Sequence, residues 1–281
     1  MLNIKLVVAD IDGTFLDSAG IPSRGALDSI RRLRSQGIGF SLCSGRGDPG
    51  IRPFVELLEL DQPYIVSGGA AIVDPLTRAV IYQSSLNENQ FRAVSAYGEI
   101  TGCNMVFHTP LQLFVVASDD FWQNVCEAKW LGVGGWHNLF RVQTWEELMP
   151  RSIIRIDYFN QLDRLPQLAA EVNGLGQQVH AYHMPHNLEI ADGSVNKGTA
   201  VTRLANYLDI PIDQVLSIGD NVNDISMLKA AGVGVAMQNS TPQVISSADL
   251  MAPSNDEGGL ASVIDHVLDG TLECLKFNST H

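Results

Sequence analysis

Four apolar residues, Leu6-Val7-Val8-Ala9, run without a break and end directly on Asp10-Ile11-Asp12-Gly13-Thr14. A short continuous apolar run of this kind reads as a strand buried on both faces, the signature of a parallel sheet covered by helices. The chain keeps this rhythm beyond the first strand. Ser23 to Gln36 carries Leu27, Ile30 and Leu33 at helical spacing, with Ser23 as the expected N-cap and Gly37 as the C′ residue. Ile38 to Cys43 reads as a strand, Pro53 to Leu60 as a helix and Tyr64 to Val66 as a third strand. The rhythm returns after Lys197 with a helix to Leu208, a strand at Val215 to Ile218, a helix at Asp224 to Ala230 and a strand at Val233 to Ala236. The expected fold is α/β, a doubly wound, Rossmann-like parallel sheet whose ligand site lies beyond the C-terminal ends of its strands.

Between these two stretches the pattern is different. Asn87 to Glu99 reads as a helix, Asn104 to Ala117 as a hairpin broken at Thr109-Pro110, and Asp120 to Leu131 as a helix before the loop Gly132-Val133-Gly134-Gly135. Ser152 to Tyr158 alternates as a strand, Leu162 to Leu175 is helical and Gln177 to His183 is again a strand. We expect residues 1–83 and 187–281 to form one domain and residues 84–186 a separate inserted α+β domain. A chain of 281 residues suits two domains at the usual ~150 residues each.

Composition narrows the partners. With 45% hydrophobic and 17% charged residues the chain can bury a core and is not a disordered polymer. Its net charge of −13 disfavours nucleic acid and anionic membrane surfaces, so any phosphorylated ligand must be met by local cations. The four cysteines form no CxxC pair, which leaves zinc and thioredoxin-like chemistry without support and reads as reduced core thiols. No apolar run reaches the ~18 residues of a spanning helix. The N-terminal segment meets two aspartates early and is not expected to be a signal peptide. The expectation is a cytoplasmic protein, a monomer or homodimer.

Asp10 and Asp12 stand at i and i+2 at a strand end, so both carboxylates face one spot. Held close they repel unless a cation intervenes, and the pair suits nucleophilic attack by one group with acid–base work by the other. Gly219-Asp220-Asn221-Val222-Asn223-Asp224 places further carboxylates and amides at another strand end, hard oxygen ligands suited to Mg²⁺. Ser44-Gly45-Arg46 offers a hydroxyl and backbone N–H groups to an anion, and Lys197 opens a helix where an anion would bind.

In this order and spacing the four pieces resemble the haloacid dehalogenase superfamily of phosphatases. The insertion is similar to the α+β cap of subclass IIB, the Cof-type relatives, as are Leu188-Glu189-Ile190 and the stretch ending at Met227. The resemblance implies Asp10 as nucleophile and Asp12 as general acid/base. Ser44, Gly45, Lys197 and Asn223 would hold the transferring phosphoryl group. Mg²⁺ would be held by Asp10, the Asp12 carbonyl and Asp220, with Asp224 steering the metal site. The implied reaction is Mg²⁺-dependent hydrolysis of a small phosphorylated metabolite, a sugar phosphate or similar phosphomonoester, through an aspartyl-phosphate.

Two positions depart from the family pattern: Gly68-Gly69-Ala70 stands where relatives carry Asn-Gly-Ala, and Asp192, read as a solvated turn, stands where they tend to carry Pro. His180, His183 and His186 recur every three residues, a spacing that points strand neighbours to opposite faces and argues against a metal cluster. His183 and His186 lie near the return to the core, within reach of a substrate. Trp122, Trp130, Trp136 and Trp145 read as cap core. A phosphosugar mutase would share the same motifs and differ in its product, and a phospho-ligand sensor would need a broken set of them.

Overall fold

The computed structural model describes residues 3–127, 138–149 and 151–275. In chain order the elements are β1 (Leu6–Ala9), α1 (Ala26–Ser35), β2 (Gly39–Leu42), α2 (Asp48–Leu57), β3 (Tyr64–Val66), β4 (Ala71–Val73), β5 (Val80–Gln83), α3 (Glu88–Ile100), β6 (Asn104–His108), β7 (Leu113–Val116), α4 (Asp119–Glu127) and β8 (Leu139–Arg141). They continue as β9 (Arg155–Phe159), α5 (Leu165–Asn173), β10 (Val179–His183), β11 (Leu188–Asp192), α6 (Lys197–Tyr207), β12 (Val215–Gly219), α7 (Ile225–Ala230), β13 (Val233–Met237), α8 (Pro242–Ile245), β14 (Leu250–Ala252) and α9 (Gly259–Asp269).

The core is a five-stranded sheet ordered β14-β13-β12-β1-β2, parallel throughout. β1 shows why its sequence has no polar alternation. Val7 and Ala9 pack with Ile30, Leu33 and Leu260 on one face, while Leu6 and Val8 pack with Val201, Leu204 and Ala205 of α6 on the other. Because β1 and β12 are neighbours, Asp10 and Asp220 leave the sheet side by side at its C-terminal edge. Strand β3 does not extend this sheet as expected. It forms an antiparallel three-stranded sheet with β4 and β5, and among the described residues it pairs with the core strands at one parallel bridge, Cys43 to Ile65.

The insertion is a six-stranded sheet ordered β10-β11-β9-β6-β7-β8, antiparallel except for the β7–β8 pair. One face, through Phe107, Ile156, Tyr158, Leu188 and Ile190, packs on Phe91 and Val94 of α3 and on Leu165 and Leu168 of α5. The expected return to the core at residue 187 falls ahead of β11. Its ladders to β9 and β10 carry the six-stranded sheet on to Asp192.

Other local expectations shift for physical reasons. Gly25, not Ser23, occupies the N-cap of α1, and Ser23 is buried with its carbonyl accepting the Ala26 N–H. Helix α2 starts at Asp48 with Pro49 in its first turn, so Pro53, the expected start, lies inside it. Asp192 does make the expected turn, accepting the Ser194 N–H and hydroxyl, and it also accepts from Gln90 of α3. Cys43 and Cys103 are buried thiols, whereas Cys274 is exposed. Trp145 packs in the insertion's core, and Trp122 is partly buried at a smaller cluster. Trp130, Trp136, the end of the expected helix at Leu131 and the Gly132–Gly135 loop lie outside the described residues, as does the side chain of Cys126.

Candidate active site

Lys197 Nζ stands between two carboxylates, 2.5 Å from Asp10 Oδ1 and 2.5 Å from Asp224 Oδ1. All three side chains are buried. Lys197 is the first residue of α6, whose N-cap Asn196 accepts the Thr199 N–H, so the ammonium and the helix N-terminus share one corner. Asp224 turns its other oxygen to the backbone, with Oδ2 accepting the N–H groups of Asp220 at 3.0 Å and Asn221 at 2.9 Å. Asp224 thereby locks the loop that presents Asp220, whose Oδ1 accepts the Thr14 hydroxyl at 2.8 Å.

The electrostatics follow from this crowding. Burial, and then Asp224, Asp220 and Asp12, push Asp10 well above the ordinary carboxyl range against the pull of Lys197. Burial and Asp224 push Asp220 up to about 7. Burial opposes the Lys197 charge, but Asp10 and Asp224 hold its pKa well above the usual value. Ligand oxygens of Asp10, Asp220 and Asp224 lie within 4.8 Å of one another, a hard donor set whose mutual repulsion a divalent cation would relieve. Gly13 closes the cradle. Its φ of 82° suits glycine, and a Cβ there would stand 2.4 Å from Asp220 Oδ2. The residues fit Mg²⁺.

Of the phosphate-site residues expected from sequence, Ser44 is buried and its Oγ accepts the Arg46 N–H at 3.1 Å. Asn223 has a buried Oδ1 with no hydrogen-bond partner among the described residues. Asp10, Asp12, Ser44, Gly45 and Asn223 line a cavity of about 680 Å³ between the sheet edge and the insertion. Lys197 and Asn223 line a smaller adjoining one of about 30 Å³. His186 lines the main cavity, whereas His183 is exposed on β10. The motifs therefore converge, and the Asp12 carboxylate, which lines the same cavity as Asp10, lies on the Arg46 guanidinium.

The roof of the cavity comes from residues outside the four motifs. On β9, Arg155 and Asp157 alternate with Ile156 and Tyr158 and point to the core side of the insertion's sheet. Register puts His108 opposite Arg155, and Glu189 opposite Asp157. Arg155 pairs with Asp157 at 2.7 Å and with Glu189 at 3.2 Å, and donates to the Gly45 carbonyl at 2.5 Å. His108 bridges Asp157 and the Ser67 hydroxyl, 3.0 Å from each. Burial, and then Arg155, lower the His108 pKa against the pull of Asp157. The signal in the sequence is the Arg-Ile-Asp-Tyr-Phe alternation, which sets two charges on one strand face.

The sequence profile of the haloacid dehalogenase-like hydrolases matches residues 7–264. The chain belongs to that family. Its sequence is 26% identical over 292 aligned positions to the 5-amino-6-(5-phospho-D-ribitylamino)uracil phosphatase YwtE of Bacillus subtilis, covering 95% of this chain and 99% of that one. A solved haloacid dehalogenase-like hydrolase from Bacteroides thetaiotaomicron superposes with a TM-score of 0.82 at 23% identity, over 94% of this chain and 99% of that one. A solved subclass IIB sugar phosphatase superposes with a TM-score of 0.81 at 22% identity, over 94% and 98% of the two chains. The phosphatases among its relatives place this haloacid dehalogenase-like enzyme with the phosphoric monoester hydrolases, and the superpositions match its Rossmann-like core and inserted cap. Among the described residues no helix is long and apolar enough to cross a membrane.

Proposed function

We propose that this enzyme is a Mg²⁺-dependent phosphatase of a small phosphorylated metabolite, working in the cytoplasm through an aspartyl-phosphate on Asp10. The observation that carries the reading is the Asp10–Lys197–Asp224 chain beside Asp220, with Asp10 lining a cavity of about 680 Å³ that leaves room for a leaving group. Asp10, the Asp12 carbonyl and Asp220 would hold Mg²⁺, with Asp224 steering them. The cation would neutralise the carboxylates and the phosphoryl oxygens. The boundaries we favour give the core residues 1–83 and 193–281, with the cap taking 84–192.

In the first half-reaction the Asp10 carboxylate attacks phosphorus while the P–O ester bond breaks and Asp12 gives its proton to the leaving oxygen. Water then attacks the same phosphorus, losing its proton to Asp12, and the Asp10–phosphorus bond breaks to release orthophosphate. Lys197, Ser44 and the Gly45 loop bind the equatorial oxygens, where positioning and charge account for most of the catalysis. A panel of phosphorylated sugars, nucleotides and cofactors assayed for phosphate release with Mg²⁺ tests the reading. Release from at least one ester supports it, and an isomeric phosphate ester as product would indicate a mutase instead.

A further inference from the structure

Resting on that phosphatase reading, we propose that Glu189 is a specificity-determining residue whose carboxyl reads a hydroxyl on the carbon next to the ester carbon, selecting phosphate esters of polyols over plain alkyl esters.

Its place in the fold separates it from the cap's own core. Leu188 and Ile190 point into the apolar cluster under α3 and α5, which turns Glu189 between them to the opposite side, toward the catalytic loops. The lack of a side chain at Gly45 makes room for it, since a Cβ there would stand 3.2 Å from Glu189 Oε1. Glu189 lines both the main cavity and the small one that it shares with Lys197 and Asn223, so it stands between the room for the leaving group and the phosphoryl corner.

The surroundings decide what it can recognise. Arg155 on β9 holds Oε2 and is itself fixed by Asp157 and the Gly45 carbonyl, so it cannot turn to follow a ligand. Asp157 opposite it on β9, Tyr182 on β10, Asn187 ahead of β11 and Lys197 on α6 also bear on the carboxyl, Asp157 by repulsion. With Arg155 already balancing its charge, the carboxyl's remaining capacity suits a neutral donor better than a second cation. Burial first, set against Arg155, pushes Glu189 up to about 7, so in neutral solution the group either accepts from or donates to an alcohol. An ester lacking that alcohol leaves a desolvated carboxyl facing an incoming phosphate, and sites built for a hydroxyl reject analogues without it.

The test compares glycerol 1-phosphate with propyl phosphate, which share a carbon chain, by calorimetric titration with Mg²⁺ present. The protein is the full chain carrying Asp10→Asn, so that bound ester is not consumed. We expect glycerol 1-phosphate to bind at least about tenfold more tightly. Adding Glu189→Ala should cut the preference to below about threefold while the propyl phosphate Kd moves by less than about threefold, and Glu189→Gln should retain the preference. Equal affinities in the Asp10→Asn protein overturn the proposal even if the alanine variant does not fold. An unchanged ratio in Glu189→Ala overturns it too, as does equal weakening of both ligands, which would make Glu189 a prop for the pocket. Failure of the catalytic reading looks different: the wild-type chain would release no phosphate from any ester, while the binding ratios still follow Glu189.

Discussion

Asp12 is held on Arg46 as a two-point ion pair, with Nε 2.7 Å from Oδ2 and Nη2 2.5 Å from Oδ1. The carboxylate proposed to carry the proton is thus fixed by a fork two residues beyond Ser44, while the remaining nitrogen, Nη1, is buried with no hydrogen-bond partner among the described residues. Asp12 is exposed on its other side, so the pair adds little to stability and much to direction. Replacing Arg46 by Lys keeps the charge and loses the fork. We expect kcat to fall on the order of ten- to a hundredfold with a smaller change in KM, measured by phosphate release. Unchanged kcat would mean that the fork does not position Asp12.

Asp10→Asn should abolish turnover, because an amide cannot form the acyl-phosphate, and the fold should persist because the shape is kept. Phosphate release near the wild-type rate would remove Asp10 from the role of nucleophile.

Chelation should matter to stability as well as to rate. Removing divalent cations leaves three carboxylates crowded around one lysine. EDTA should lower both activity and Tm, and Mg²⁺ should restore both. Gly13→Ala forces a Cβ against Asp220 at a positive φ, so it should raise the Mg²⁺ concentration needed for half-maximal Tm recovery by at least about tenfold. Full activity in EDTA would contradict the metal assignment.

Much of this site is legible in the sequence because its parts are local. Asp10 and Asp12 follow an apolar run, and Asp220 and Asp224 follow another, so strand ends and carboxylates can be read together. That both strands belong to one sheet comes from the α/β rhythm. The roof is not legible, because His108, Arg155 and Glu189 come from three strands whose pairing no local pattern announces. Antiparallel register creates that cluster, and a slip of one residue would turn every member into the cap's apolar side. Strand β3 escapes the sequence pattern for the same reason: three apolar residues suit either sheet, and pairing with β4 decides between them.

His108 gives the cap–core junction a pH dependence with a definite sign. Its folded pKa lies below the ordinary 6.5, so the folded state resists protonation and the unfolded chain takes up the proton first. The stability tied to neutral His108 is therefore complete above about pH 6.5 and drains away as pH falls below it toward the folded value. The groups that face the ring are Ser67, Asp157 and Arg155. Thermal melts from mildly alkaline to mildly acidic buffer should show a steeper acid loss of Tm in the wild-type chain than in His108→Gln. Parallel Tm–pH curves would place the acid sensitivity elsewhere.

Strand β11 ends at Asp192, and only the short stretch Gly193 to Asn196 separates it from Lys197. A short tether of this kind ties the residue proposed to select substrate to the lysine proposed to hold the phosphoryl group, in inheritance as well as in space. A cap transplanted from another enzyme with its junction at residue 186 would leave the recipient's own β11 to pair with foreign strands, mixing two recognition surfaces in one sheet. Splicing at Gly193-Ser194 instead would move the whole sheet as one unit and leave the lysine where it is. Chimeras built at the two junctions should therefore differ in kind, the first hybrid in its preferences and the second faithful to the donor.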